Sequence, residues 1–327
     1  MVPEGDTIMR LVFDGEQEEK LHRDVFAEKF RGFINEGRDV VYLNCDVMEP
    51  CGMTKLWKEF PKNVFNCGIS EANMIGIAAG MNLAGSNVFA QTFGCFATRR
   101  CLDQLFISVA YSGLGLKLIG SDPGVCAGFN GGTHMPFEDL ALMRAIPGAI
   151  VLEMSDGVMF DKLLDVVVDE PGLVYMRTTR KTYKKIYSEG WKFEVGGSAL
   201  LCEGTDVVVF ASGLLTAEAL SAAQILEQQG ISTSVVDMYS IKPLDSQRVR
   251  ETASAAKLVI TCDNHNTIGG LGDAVSSVLL EHRVYRPFVK LGVSDEFGEV
   301  GPVSYLMERF GLTSKDIAKV AVDALGA

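Results

Sequence analysis

The chain reads as an α/β protein made of two doubly wound units, each a mostly parallel sheet flanked by helices. Two observations predict this class. Short apolar runs alternate with helical patterns along most of the 327 residues, which is the rhythm of β-α-β construction. The alternation then breaks between Thr179 and Gly204, where Lys181, Lys184, Lys185, Tyr183, Tyr187 and Trp191 mix with Gly190, Gly196 and Gly197, and afterwards resumes. That break sets a first domain at residues 1–188, a linker at 189–204, with a small hairpin as one option, and a second domain at 205–327.

The elements follow in order. Leu21, Val25, Phe26, Phe30 and Phe33 recur at helical spacing and predict an amphipathic helix over residues 18–38. Residues 39–43 read as a buried strand ending at Asn44-Cys45-Asp46. A small-residue helix follows Glu71. Short strands are expected at 87–90 and 116–119, a helix at 102–110, and a helix at 136–144 that stops near Pro147. Residues 149–153 form a strand, Ser155-Asp156-Gly157 opens a helix through Val166, and 173–177 form the next strand. The second unit starts with the strand 206–210, turns at Ala211-Ser212-Gly213 into a helix over 216–229, and continues with strands at 232–237 and 257–261. The turn at Gly213 lacks a full G-x-G-x-x-G pattern, so no dinucleotide site is read there.

Composition narrows the function classes. Hydrophobic residues make up 47% and the formal net charge is -12 with no basic run. This argues against nucleic acid and anionic membrane surfaces as partners. A phosphorylated substrate remains open, since a local Arg or Lys pocket can sit on an acidic protein. No apolar run reaches the ~18 residues of a membrane span, and the first residues lack the pattern of a signal peptide. None of the eight cysteines forms a C-x-x-C pair. They read as buried thiols in a reducing, cytoplasmic setting, with neither disulfides nor a zinc site.

The most informative stretch is Phe65-Asn66-Cys67-Gly68-Ile69-Ser70-Glu71, followed by Ala72-Asn73-Met74-Ile75-Gly76-Ile77-Ala78-Ala79-Gly80-Met81. It places a lone carboxylate at the mouth of a helix whose small residues permit close approach. By position alone Glu71 reads as a helix-start acid capping backbone N–H groups. Further blocks follow at Gln91-Thr92-Phe93-Gly94-Cys95-Phe96-Ala97-Thr98-Arg99-Arg100, at Gly120 to Leu140 around Gly131-Gly132-Thr133-His134-Met135-Pro136, and at Asp263-Asn264-His265-Asn266-Thr267-Ile268-Gly269-Gly270.

Together, in this order and over roughly residues 20–327, these blocks resemble the pyrimidine-binding and C-terminal domains of transketolases. The resemblance implies thiamine diphosphate as cofactor, with Glu71 giving a proton to its pyrimidine ring, Phe93 and Phe96 packing around that ring, and Arg99 and Asp46 close by. It implies His134 as a substrate hydrogen-bond donor or proton shuttle. Arg180, with Arg177 near it, would hold the substrate phosphate through a forked guanidinium. His265 matches a position of structural or interface role. Two departures touch the substrate: Asp122 stands where many transketolases carry histidine, and Phe129-Asn130 stand in place of Glu-Asp.

No Gly-Asp-Gly motif for a diphosphate-bound metal occurs in the chain. The resemblance therefore implies the C-terminal subunit of a split transketolase. A separate N-terminal subunit would hold the diphosphate and Mg²⁺ or Ca²⁺, and this chain would self-associate into a core dimer within an α2β2 assembly. The implied reaction moves a two-carbon ketol unit from a ketose or its phosphate to an aldose or its phosphate. A β subunit of a 2-oxo acid dehydrogenase, a deoxyxylulose-phosphate synthase-like piece and a non-catalytic scaffold subunit are the alternatives. Thr133 to Leu140 favours the transketolase branch, and Glu71, Phe93, Phe96 and His134 speak against a scaffold.

Overall fold

The computed structural model describes residues 11–326. The first unit runs α1 (His22–Asn35), β1 (Val40–Asn44), α2 (Thr54–Glu59), β2 (Val64–Asn66), α3 (Glu71–Leu83), β3 (Asn87–Phe93), α4 (Gly94–Thr98), α5 (Leu102–Gln104), β4 (Leu116–Ser121), α6 (Asp139–Arg144), β5 (Ile150–Glu153), α7 (Gly157–Val167) and β6 (Leu173–Thr178). The second runs β7 (Ala199–Cys202), β8 (Val207–Ala211), α8 (Leu214–Glu227), β9 (Thr233–Asp237), β10 (Ser240–Lys242), α9 (Ser246–Ala255), β11 (Leu258–Asn266), α10 (Leu271–Glu281), β12 (Phe288–Val293), α11 (Val303–Arg309) and α12 (Ser314–Leu325).

A seven-stranded sheet has the order β10-β5-β6-β4-β3-β1-β2, and a five-stranded sheet the order β12-β11-β8-β9-β7. All pairings are parallel except β10 with β5 and β7 with β9. Strands covered on both faces must be apolar throughout, and β1, β6, β8 and β9 are buried at every position. Helix α1 buries Val25, Phe26, Phe30 and Phe33. The three phenylalanine rings meet Tyr42 and Phe89 at centroid distances of 5.7 to 6.2 Å, the range aromatic pairs prefer.

Several expected boundaries move, each for a local reason. Helix α1 begins at His22, not residue 18, because the segment before it pairs with the chain around 181–187: Val12 N donates to Ile186 O at 2.9 Å and Glu18 N to Tyr183 O at 3.0 Å. The backbone groups of the irregular stretch are satisfied in this way, and no hairpin forms there. The expected linker is not free of the second sheet, since its residues 199–202 are strand β7. Conversely, β10 leaves the second unit to close the edge of the first sheet, with Ser240 opposite Leu152 and Lys242 opposite Val151. The expected helix at 102–110 is one short turn followed by a π-helical stretch, Leu105–Tyr111. Helix α6 starts late because Phe137 N donates to the Glu138 side chain at 2.9 Å.

The two units share a buried polar seam. Arg177, at the end of β6, is fully buried. It donates to Asp139 at 2.8 Å, to Glu153 at 2.5 Å, and to the carbonyls of Pro136 at 3.3 Å and Asn264 at 2.8 Å. Glu153 also accepts from Ser212 Oγ at 2.7 Å. Asp237, at the end of β9, accepts from the Tyr187 hydroxyl at 2.6 Å. Burial pushes its carboxyl up to about 7, against ~3.9 in an unfolded chain. Between these values the folded state keeps a proton that the unfolded state has released, so this contribution to stability is full at lower pH and is lost as pH rises through the folded value. Thermal unfolding of Asp237→Asn should therefore show a flatter pH profile between about pH 4 and 7. Retention of the full slope in the variant would assign it to another group.

All eight cysteines are free thiols. No helix among the described residues is long and apolar enough to cross a membrane.

Candidate active site

The sequence motifs converge where the parallel strands β1, β3, β4 and β6 end, the edge at which open α/β sheets place their ligands. After β1, Asp46 takes a left-handed backbone (φ 60°) and is exposed. Its N–H donates to Asn66 Oδ1 at 3.0 Å, and Asn66 Nδ2 donates back to Asp46 Oδ1 at 3.1 Å. The same Asn66 oxygen accepts from Gly68 N at 2.9 Å. Asp46 thus fixes the turn that delivers Glu71.

Glu71 opens α3 and is 5% exposed. It does not cap its helix. Its Oε1 accepts from Nη1 of Arg100 at 3.0 Å. Arg100 also lies over the Phe96 ring, its guanidinium carbon 3.7 Å from the ring centroid. Phe96 meets Phe93 edge-on at 6.0 Å, and His134 meets Phe96 at 5.1 Å and Phe93 at 5.7 Å. Arg180 closes the chain of contacts, its guanidinium carbon 4.7 Å from the Phe93 centroid. One continuous set of contacts therefore links Glu71, Arg100, Phe96, His134, Phe93 and Arg180.

Asp122 follows β4 with φ 57°, a conformation aspartate tolerates better than bulkier residues. Its buried carboxylate accepts from Arg180 N at 3.0 Å and Arg180 Nε at 2.6 Å, and stands 2.6 Å from Nη2. Asp122 accordingly binds Arg180, and of that guanidinium only Nη1 is without a partner among the described residues.

The loop then runs through 3₁₀ turns at Gly124–Asn130 and Gly132–His134. Asn264, from β11, holds its start: Val125 N donates to Asn264 Oδ1 and Asn264 Nδ2 to Pro123 O, both at 3.0 Å. Gly124 is required there, because its φ is +48° and a Cβ would come 2.1 Å from Asn264 Oδ1. Phe129 and Asn130 are exposed on this loop. His134 Nδ1 is 2.9 Å from Thr133 Oγ1. Burial, and then the guanidinium groups of Arg100, Arg99 and Arg180, hold His134 below the ordinary imidazole range.

Two expectations require correction. Arg177 cannot reach a substrate, being sealed in the seam between the sheets by Asp139, Glu153 and two carbonyls. Arg99 turns from the aromatic pair to Glu138, at 2.9 Å, and the Thr133 carbonyl, at 3.2 Å, so it braces the His134 loop. The arginine on Glu71 and Phe96 is its neighbour Arg100, to which the sequence motif assigns no role. Phe96 and Arg100 are four apart, but Arg100 lies in the turn after α4, so helical spacing does not assign it. His265, expected to be structural, is buried, with Nδ1 at 2.7 Å from Asn266 O and Nε2 accepting from Ala141 N at 3.4 Å.

The arrangement fits the pyrimidine end of thiamine diphosphate. A nearly buried carboxylate, with Arg100 as its single partner among the described residues, is linked through that arginine to a pair of phenylalanines. Among the described residues no group of three His, Cys, Asp or Glu could hold a metal ion.

Comparison with known proteins identifies both domains. The transketolase pyrimidine-binding domain matches residues 19–185, and the transketolase C-terminal domain matches residues 196–317. The 6-deoxy-6-sulfo-D-fructose transketolase subunit SqwH of Clostridium sp. (strain MSTE9) is 39% identical over 313 residues, covering 96% of this chain and 97% of that protein. An apulose-4-phosphate transketolase subunit of Phocaeicola vulgatus is 32% identical, covering 92% of this chain and 96% of that protein. Transketolase of Rattus norvegicus is 35% identical but only 43% of its length is covered. A solved structure, a split gene transketolase described as an inactive beta4 tetramer, superposes with a TM-score of 0.85 at 35% identity over 94% of this chain and 98% of that one. With its pyrimidine-binding domain, its C-terminal domain and full-length likeness to split subunits, the chain belongs to the thiamine-diphosphate-dependent transketolase family as a C-terminal subunit.

Proposed function

We propose that this chain supplies the pyrimidine-facing half of a thiamine diphosphate site, completed by an N-terminal subunit that holds the diphosphate and Mg²⁺ or Ca²⁺. The bound cofactor would supply a nucleophilic carbon for two-carbon ketol transfer from a ketose to an aldose. Glu71 would exchange a proton with the pyrimidine ring, Phe93 and Phe96 would bracket it, and His134 would move a proton at a substrate hydroxyl. The observation that carries this reading is the unbroken contact chain from the buried Glu71 through Phe96 to His134.

The substrate is proposed to be an anionic ketose. Support comes from the two relatives whose names specify a sulfonated and a phosphorylated sugar, and from Arg180 at the mouth. Asp122 already neutralises much of Arg180, so the anion would take the remaining Nη1. Self-association is proposed across the face of α3, where Asn73, Gly76, Gly80 and Leu83 are exposed beside Ile69, Ile107 and Tyr111. Such a contact would place two copies at the centre of an α2β2 assembly.

The test is two-carbon transfer measured for this chain alone, and then with its N-terminal partner, Mg²⁺ and thiamine diphosphate, using a ketose phosphate and 6-deoxy-6-sulfofructose as donors. Activity is expected only in the mixture. Equal activity without the partner would overturn the shared site, and cofactor binding without transfer from either donor would overturn the substrate class.

A further inference from the structure

We propose that Arg100 is a placeholder for the pyrimidine ring, occupying both Glu71 and one face of Phe96 until cofactor displaces it. The inference rests on the reading of Glu71 and Phe96 as the pyrimidine half-site.

Three observations carry it. First, Arg100 engages both groups at once: Nη1 donates to Glu71 Oε1 at 3.0 Å, and the guanidinium carbon lies 3.7 Å from the Phe96 centroid. At that distance the guanidinium is in stacking contact, and a second flat group cannot lie on the same face. A ligand that hydrogen-bonds Glu71 and stacks on that face must expel Arg100 from both.

Second, Arg100 is free to leave. Its side chain is 48% exposed, against 5% for Glu71, and Glu71 is its only hydrogen-bond partner among the described residues. Arg99 beside it is tethered to Glu138 and Thr133 O, and Arg180 to Asp122. Of the three guanidinium groups around His134, only Arg100 is held by Glu71 and a ring face alone.

Third, the exchange leaves no buried charge stranded. Glu71 is nearly buried, and a buried carboxylate without a donor is costly. Arg100 satisfies it in the cofactor-free chain; as Arg100 leaves, one proton taken up from solvent and shared between Glu71 and the ring nitrogen would satisfy it afterwards. The half-site is thus ordered before the partner subunit arrives, at the expense of affinity. A half-exposed ion pair and one cation–π contact are each small, so the penalty amounts to a few-fold in affinity.

The experiment is calorimetric titration of thiamine diphosphate, with Mg²⁺, into the complex of this chain and its N-terminal subunit. It compares the unsubstituted complex with Arg100→Ala and Arg100→Gln, each checked for an unchanged melting temperature. The expected result is binding tightened about 3- to 10-fold in both variants. In the Glu71→Gln background, Arg100→Ala should gain less, because one of the two contacts is already weakened. Unchanged or weaker binding in the Arg100 variants would overturn the placeholder while leaving the half-site intact. Absence of binding in every complex would overturn the cofactor reading, and the placeholder with it.

Discussion

Replacing Glu71 by Gln should lower turnover of the assembled enzyme by about 10²- to 10⁴-fold, the range expected when a positioned acid–base group is lost. The amide keeps the shape of the side chain and can still accept from Arg100, but it cannot give or take a proton. Its effect on folding should be small. The pair it weakens is half-exposed on the Arg100 side, and such pairs contribute at most about 1 kcal/mol. The diagnostic outcome is a large fall in kcat with a melting temperature close to that of the unsubstituted chain. Turnover within a few-fold of the original would remove Glu71 from catalysis and favour a scaffold role for the chain.

The second large effect is on stability. Arg177→Met should destabilise the fold by about 3–5 kcal/mol, the cost of leaving buried partner charges without their counter-ion. Asp139 and Glu153 would face each other across an apolar gap, both essentially inaccessible to water. Urea denaturation reads the change directly. Combining Arg177→Met with Asp139→Asn and Glu153→Gln should recover part of it, since the stranded carboxylates are then neutral. A loss below about 1 kcal/mol would mean that water reaches the seam and screens the carboxylates. The effect should extend to the site, because Arg177 also binds the carbonyl of Pro136, two residues after His134.

Much of this was legible in the sequence because the signals are local. Strands buried on both faces appear as apolar runs, so β1, β3, β4, β5, β6, β8, β9 and β11 could all be placed. Phe93, Phe96 and His134 stand in motifs whose spacing survives as contact in the fold, whereas Glu71 reaches them only through Arg100. What could not be read depends on distant partners. Arg177 and Arg180 look alike at a strand end, and it is the partners Asp139, Glu153 and, 87 residues on, Asn264 that bury one and not the other. Arg99 and Arg100 are adjacent in the turn after α4, and which of them faces Glu71 is set by tertiary partners, since Glu138 and the Thr133 carbonyl take Arg99. Strand β10 has three residues, too few to show a pattern, and β7 lies inside a stretch whose glycines and lysines hide it.

Strand β10 bears on how such proteins can be recombined. A crossover placed in the connection between the two units, exchanging the second half with that of a relative, would transplant β10 and set a foreign edge against β5 of the first sheet. The β5–β10 pairing, with Ser240 facing Leu152 and Lys242 facing Val151, is therefore a compatibility requirement carried across the junction. Chimeras should inherit both strands from one parent, so the sensible unit of exchange is not the domain that the linear sequence suggests.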